Sequence, residues 1–156
     1  MTPNVSYVPS TDFDHDKTDR IQLTYWFMDE RSSANVESGY GFALTASRQC
    51  HRWLGFVRWG HSDGGAGVAA ENAFSAGFEY AVRDDQAFAL AGGWAEPSEK
   101  THGIGLREEY VLEASYRMQI SPSFSIMPDI QVLFDPANNP DESVAWVFGL
   151  RSKISF

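Results

Sequence analysis

From Arg20 onward, apolar residues recur at every second position, and this feature most narrows the folds open to the chain. At the C-terminus Trp146, Phe148, Leu150, Ile154 and Phe156 share one face, against Ala145, Val147, Gly149, Arg151, Lys153 and Ser155 on the other. Upstream, Tyr110, Leu112, Ala114, Tyr116, Met118 and Ile120 alternate with Glu109, Val111, Glu113, Ser115, Arg117 and Gln119. A helix would scatter these sets around its circumference, whereas a strand separates them onto two faces. The pattern predicts eight strands, at 20–28, 38–49, 53–60, 70–80, 87–96, 106–120, 124–134 and 144–156. Pro128 removes a ladder donor inside the seventh, and a bulge is the expected accommodation.

The connections alternate too. Cys50–Arg52, Val82–Gln86 and Ser121–Ser123 are tight, while Asp29–Glu37, His61–Ala69, Pro97–Gly105 and Asp135–Ser143 are longer and rich in Gly, Pro, Asn, Asp and Ser. An antiparallel meander with one trimmed end and one elaborated end is the pattern of a transmembrane β-barrel. Alternation alone does not separate this from a soluble sandwich. Aromatics at strand ends do favour the barrel: Tyr25, Phe27, Trp53, Trp59, Tyr80, Trp94, Tyr110, Trp146 and Phe156 stand where two bilayer interfaces would lie. So does the row of charges on the polar face, and so does an apolar strand at the C-terminus, where soluble chains fray.

Charge excludes one class of partner. With 12 Lys and Arg against 21 Asp and Glu, a net charge of −9 leaves no basic stripe for nucleic acid. One cysteine, Cys50, excludes a disulfide framework. His15, His51, His61 and His102 sit on separate segments without metal-ligand spacing. Ser62-Asp63-Gly64-Gly65 reads as a turn, not as a nucleophile elbow. Glu109 and Glu113 lie about 13 Å apart along a strand, beyond the about 5–9.5 Å of a glycosidase pair. No catalytic residue, cofactor or metal is expected. The acidic residues of the long connections read as a solvated rim.

Several motifs occur in order: Trp53-Leu54-Gly55-Phe56-Val57-Arg58-Trp59-Gly60-His61-Ser62-Asp63-Gly64-Gly65, Tyr116-Arg117-Met118-Gln119-Ile120-Ser121-Pro122, Ile126-Met127-Pro128-Asp129-Ile130-Gln131, Asp135-Pro136-Ala137-Asn138-Asn139-Pro140-Asp141 and Val147-Phe148-Gly149-Leu150-Arg151. Together they resemble the carbohydrate-selective porin family, OprB type, over residues 20–156. The resemblance implies an all-β, antiparallel up-and-down transmembrane barrel of sixteen strands in the bacterial outer membrane. Residues 1–19 show no export signal and read as a poorly ordered segment, so the chain resembles the C-terminal half of such a porin. The lumen-folded loop that narrows family pores is then expected in the other half.

The resemblance further implies passive diffusion of small carbohydrates, contact with outer-membrane lipids, and recognition of the terminal strand by barrel-assembly machinery. That strand carries Trp146, Phe148, Leu150, Ile154 and Phe156. A sugar-conducting wall needs exchangeable hydrogen bonds, each worth about 0.5–1.5 kcal/mol net. Arg58, Glu79, Glu109, Glu113, Arg117, Asp129, Gln131, Arg151 and Lys153 are the candidates for sugar contact, with Trp26 as a stacking surface or, alternatively, a girdle or packing residue. The same charges would otherwise pair across strands and keep the lumen wet. Ala87, Ala89, Ala91, Gly93, Gly41, Ala43 and Gly77 are expected to leave space in that lumen. Two other architectures fit the alternation: a complete eight-stranded outer-membrane barrel with a structural or adhesion role, and a soluble lectin-like β-sandwich.

Overall fold

In the computed structural model, residues 19–103, 105–137, 139 and 141–155 are described. Period-two alternation becomes eight strands: β1 (Arg20–Met28), β2 (Gly39–Cys50), β3 (Trp53–Ser62), β4 (Ala70–Arg83), β5 (Gln86–Pro97), β6 (Glu109–Ser121), β7 (Phe124–Phe134) and β8 (Val144–Ile154). They form one antiparallel sheet in sequence order. Two-residue turns join β2 to β3, β4 to β5 and β6 to β7, while the other connections are long. One of these holds a single helical turn, α1 (Glu99–His102), whose Ser98 side chain caps Thr101 N–H.

The strand ends differ from expectation where loops compete for the backbone. β6 starts at Glu109, not at 106, because the Arg107–Asp135 ion pair (2.7 Å) holds that segment in the loop. β4 continues to Arg83 through a register shift between Ala81 and Arg83. Pro128 produces no bulge. It pairs with Leu150 in unshifted register, and the β6 ladder skips the positions around it and resumes at Met118↔Ile126. Phe156 and all but Asp19 of the N-terminal segment lie outside the described residues; Asp19 itself accepts a hydrogen bond from Gln49 N–H (3.3 Å).

Register carries one side of the sheet across all eight strands. The row Leu23–Leu44–Trp59–Phe74–Trp94–Tyr110–Phe134–Val144 is apolar throughout, and so is Trp53–Tyr80–Phe88–Tyr116 nearer the short turns. Six residues of β4 separate these rows, about 20 Å of strand, against an apolar band about 25 Å tall in outer-membrane barrels. Between them lie Val57, Ala76, Gly92, Leu112 and Val132.

The apolar side chains splay outward: Ile21 is 80% exposed and Phe148 75%. On the opposite face Arg117 is only 8% exposed and Asp129 7%. The sheet therefore curls with its polar face inside. Ala87 is the only buried hydrophobic residue among those described.

The two alternative architectures do not match the described sheet. A sandwich would bury its apolar face under a second sheet, and here there is a single layer. A complete eight-stranded barrel would pair β1 with β8 and leave an interior just wide enough to be filled by side chains. In the described residues β1 and β8 are not paired, and the inner face holds an open groove and extended ion pairs instead.

The face assignment is tested by neighbours on β6. Leu112→Arg, outward in the central row, should lower unfolding free energy in phospholipid bilayers by about 2–4 kcal/mol. Val111→Arg, inward at the adjacent position, should cost far less in the same denaturant titration.

Candidate functional site

All ten sequence-predicted contact residues share the inner face, because each pairs across the ladder with another inward position. Trp26 faces Gly41, Arg58 faces Ser75, and Glu79 faces Ala89. Glu109, Glu113 and Arg117 face Ala95, Ala91 and Ala87. Asp129 and Gln131 face Ser115 and Glu113, and Arg151 and Lys153 face Met127 and Ser125.

They divide into two regions. The first is a charge network on β4 and β6–β8. Arg151 donates to Glu113 Oε1 at 2.7 Å, and its Nε lies 3.3 Å from Asp129 Oδ2. Gln131 donates to Asp129 Oδ1 at 3.4 Å, and Arg117 lies 3.9 Å from Glu79. Cross-strand pairing, which the sequence also offered, thus engages at least five of the ten, and Gln131 joins Asp129 along its own strand. Gly149 makes this possible, since the Asp129 carboxylate occupies the space a Cβ there would need.

The second region is a groove of about 440 Å³ near the long-loop end. Its floor is Gly60, Ala73, Ser75, Gly93 and Ala95; Trp26 and Arg58 stand on one side, Glu109 and Val111 on the other. Glu109 also accepts from Ala137 N–H at 2.9 Å, which ties down the last long loop. Arg58 makes no ion pair with any described residue, unlike Arg117 and Arg151.

Trp26 is an inward residue, not a girdle residue. A Cβ on Gly41 would fall 2.7 Å from its indole and 2.6 Å from the His61 carbonyl, so the ring is seated over a glycine that must stay a glycine. Gly77 likewise seats Phe56, since a Cβ there would fall 2.8 Å from the ring. These two glycines were expected to leave lumen space; cross-strand aromatic rings fill it instead.

Sequence reasoning missed the course of the β3–β4 loop (63–69). Gly39 points inward, and a Cβ there would meet Gly65 and Ala66 at 2.7–2.8 Å. The loop therefore folds over the inner face. Asp63 Oδ1 accepts from Tyr40 N–H (3.1 Å), Ala66 N–H donates to Glu37 O (3.0 Å), and fully buried Ser98 donates to Gly64 O (2.7 Å). The available signal was Gly39-Tyr40-Gly41: two inward glycines, two residues apart, mark a place where something lies on the strand.

On the outer face Trp94 Nε1–H and Tyr110 O–H both donate to Glu108 Oε2, at 2.9 and 2.8 Å. These donors hold the Glu108 carboxyl below the ordinary glutamate range. His61, Asn72 and Glu96 form a second polar chain on the outer face, with contacts of 2.8 and 2.7 Å. Among the described residues no group of three or more His, Cys, Asp or Glu gathers as a metal site.

Residues 7–156 match the family model described as carbohydrate-selective porin, OprB family. The chain belongs to this family. No curated protein and no solved structure matches it. An OprB-family porin is a channel, not typically an enzyme. No helix among the described residues is long and apolar enough to cross a membrane, and porins cross with strands.

Two outcomes test the contacts above. Arg151→Gln strands two carboxylates, one nearly buried, so it should destabilise by about 1–3 kcal/mol. Glu113→Gln should cost less in the same detergent unfolding series. For Glu108, whose folded pKa is depressed, the linked stability is present above the unfolded pKa and lost as pH falls through the folded one. The Trp94 indole N–H resonance should therefore hold its shift through the ordinary glutamate range and move only at more acid pH. In Glu108→Gln that acid transition should vanish.

Proposed function

We propose that the chain supplies half the wall of a sixteen-stranded outer-membrane barrel through which small, uncharged carbohydrates diffuse passively. The observation that carries this reading is the two-sided sheet: one face apolar across all eight strands with aromatic rows, the other polar with an open groove. Family membership over residues 7–156 supplies the solute class and the bacterial outer membrane.

Closure calls for more than these eight strands, and sixteen is the number that the resemblance to the family implies. A sheet in lipid must leave no edge unpaired, and the inner face is too sparsely filled for eight strands to close around it. Further strands therefore pair with the free sides of β1 and β8.

Within this barrel Trp26, Arg58, Glu79, Glu109, Glu113, Arg117, Asp129, Gln131, Arg151 and Lys153 line the lumen. The Arg151–Glu113–Asp129 and Arg117–Glu79 groups keep it hydrated and rigid. Arg58 and Trp26 remain for solute. Loose, replaceable hydrogen bonds suit conduction, because a solute held tightly would not leave. The outward residues Trp146, Phe148, Leu150 and Ile154 belong to the terminal strand that meets the lipid and, with the C-terminal Phe156 of the sequence, is read by the barrel-assembly machinery.

The test is planar-bilayer recording of the full gene product. Stable ion-conducting steps, reduced reversibly as neutral hexose is added, are the expected result. A protein that stays monomeric and soluble without detergent, and that adds no conductance, would overturn the reading.

A further inference from the structure

The inward β3–β4 loop gives the groove an end wall. Val68, Ala69, Ala70 and Glu71 line the same cavity as Trp26 and Arg58, and contacts from three directions hold the loop there. Gly64, Ala66 and Gly67 all adopt positive φ (80°, 60° and 69°), which curls the backbone back toward the sheet. The underside is Gly39, the flank is the Glu37 carbonyl, and the far side is the buried Ser98 hydroxyl. A segment tied at each of these points is a fixed lip, not a swinging one.

At about 440 Å³ the groove falls in the range of small-ligand pockets. Its chemistry is specific. The seated indole of Trp26 offers a flat apolar surface, and Arg58 offers guanidinium N–H donors not committed to a carboxylate. Glu71, at the start of β4, and Glu109, on β6, offer acceptors, and floor residues this small leave the backbone within reach. One guanidinium against two carboxylates disfavours an anion, whereas a neutral polyhydroxylated ring uses both donors and acceptors.

We propose that this groove is a binding subsite for a single uncharged pyranose ring, stacked on Trp26 and hydrogen-bonded by Arg58, with the β3–β4 loop setting its length. The proposal rests on the porin reading. It gives this chain a lumen-folded element of its own, distinct from the pore-narrowing loop that the resemblance places in the other half.

The experiment is sugar-dependent block of ion current through the full gene product in planar bilayers, each variant normalised to its own open current. A neutral hexose, the corresponding aldonate and the corresponding amino sugar are the probes. The hexose should block at the lowest concentration. Trp26→Ala should raise the half-blocking concentration about tenfold, and Trp26→Phe, which retains a ring and serves if the alanine variant fails to insert, about threefold. Tyr25→Ala, on the same strand but facing outward, should leave it unchanged.

Arg58→Gln should weaken block by the hexose as well, whereas a site for anions would lose only the aldonate. Deleting residues 66–68 should let a disaccharide block as well as the hexose does. Unchanged hexose block in both Trp26 variants, or preferential block by the aldonate, would overturn the subsite while the porin reading stands. Absence of any ion current from the unsubstituted protein would overturn the porin reading itself.

Discussion

The backbone ladder is the constraint on which everything else depends. With one buried hydrophobic residue among those described, there is no core in the sense of a soluble domain, and side-chain packing alone would not hold this shape. What holds it is seven consecutive antiparallel pairings, each strand bonded to its neighbours in sequence. In water such a sheet would expose a large apolar face to unfavourable contact. In a bilayer the preference reverses: the ladder is the only way to satisfy backbone donors and acceptors, and the apolar face is the one in contact with lipid. The same sequence is thus a poor soluble protein and a well-matched membrane sheet.

Curling the sheet crowds its inner side chains, and the chain resolves the crowding by setting large groups opposite glycine. Trp26 lies over Gly41, Phe56 over Gly77, and the Asp129 carboxylate over Gly149. In each case the glycine is the direct cross-strand partner. The inner face gains room without losing rungs from the ladder. Arg151 can then bridge Glu113 and Asp129 from the neighbouring strand, and the indole of Trp26 is held at the wall of the groove. The geometry of this face thus depends on residues that carry no side chain themselves.

Strands were legible because alternation is a local property. Each of the eight appears where the sequence places it, and the ends move by a few residues, as where Arg107–Asp135 shortens β6 and a register shift lengthens β4. The common face of the ten contact residues was legible for the same reason. The ion pairs were not, since Arg151 meets Glu113 across 38 positions of sequence and nothing local encodes that distance. The loop at 63–69 was misread as a simple outer turn. Its inward course depends on Gly39 and Ser98, one upstream and one downstream of it. Pro128 was expected to bulge because a missing donor usually disturbs a strand. Here the register to β8 is kept and the ladder to β6 carries the gap.

The sides of β1 and β8 that no described strand pairs with limit what can complete the structure. Eight strands, an even number, bring the start of β1 and the end of β8 to the short-turn end of the sheet. A complementing segment must therefore also contain an even number of strands if its connections are to follow the same rhythm. It must run antiparallel to both edges and continue the outward rows begun by Ile21, Leu23, Tyr25 and Phe27 on one side and ended by Trp146, Phe148, Leu150 and Ile154 on the other. A slip of one residue at either seam would turn those side chains into the lumen and the polar rows toward lipid. Each seam is thus fixed by the same alternation that defines every strand within the sheet.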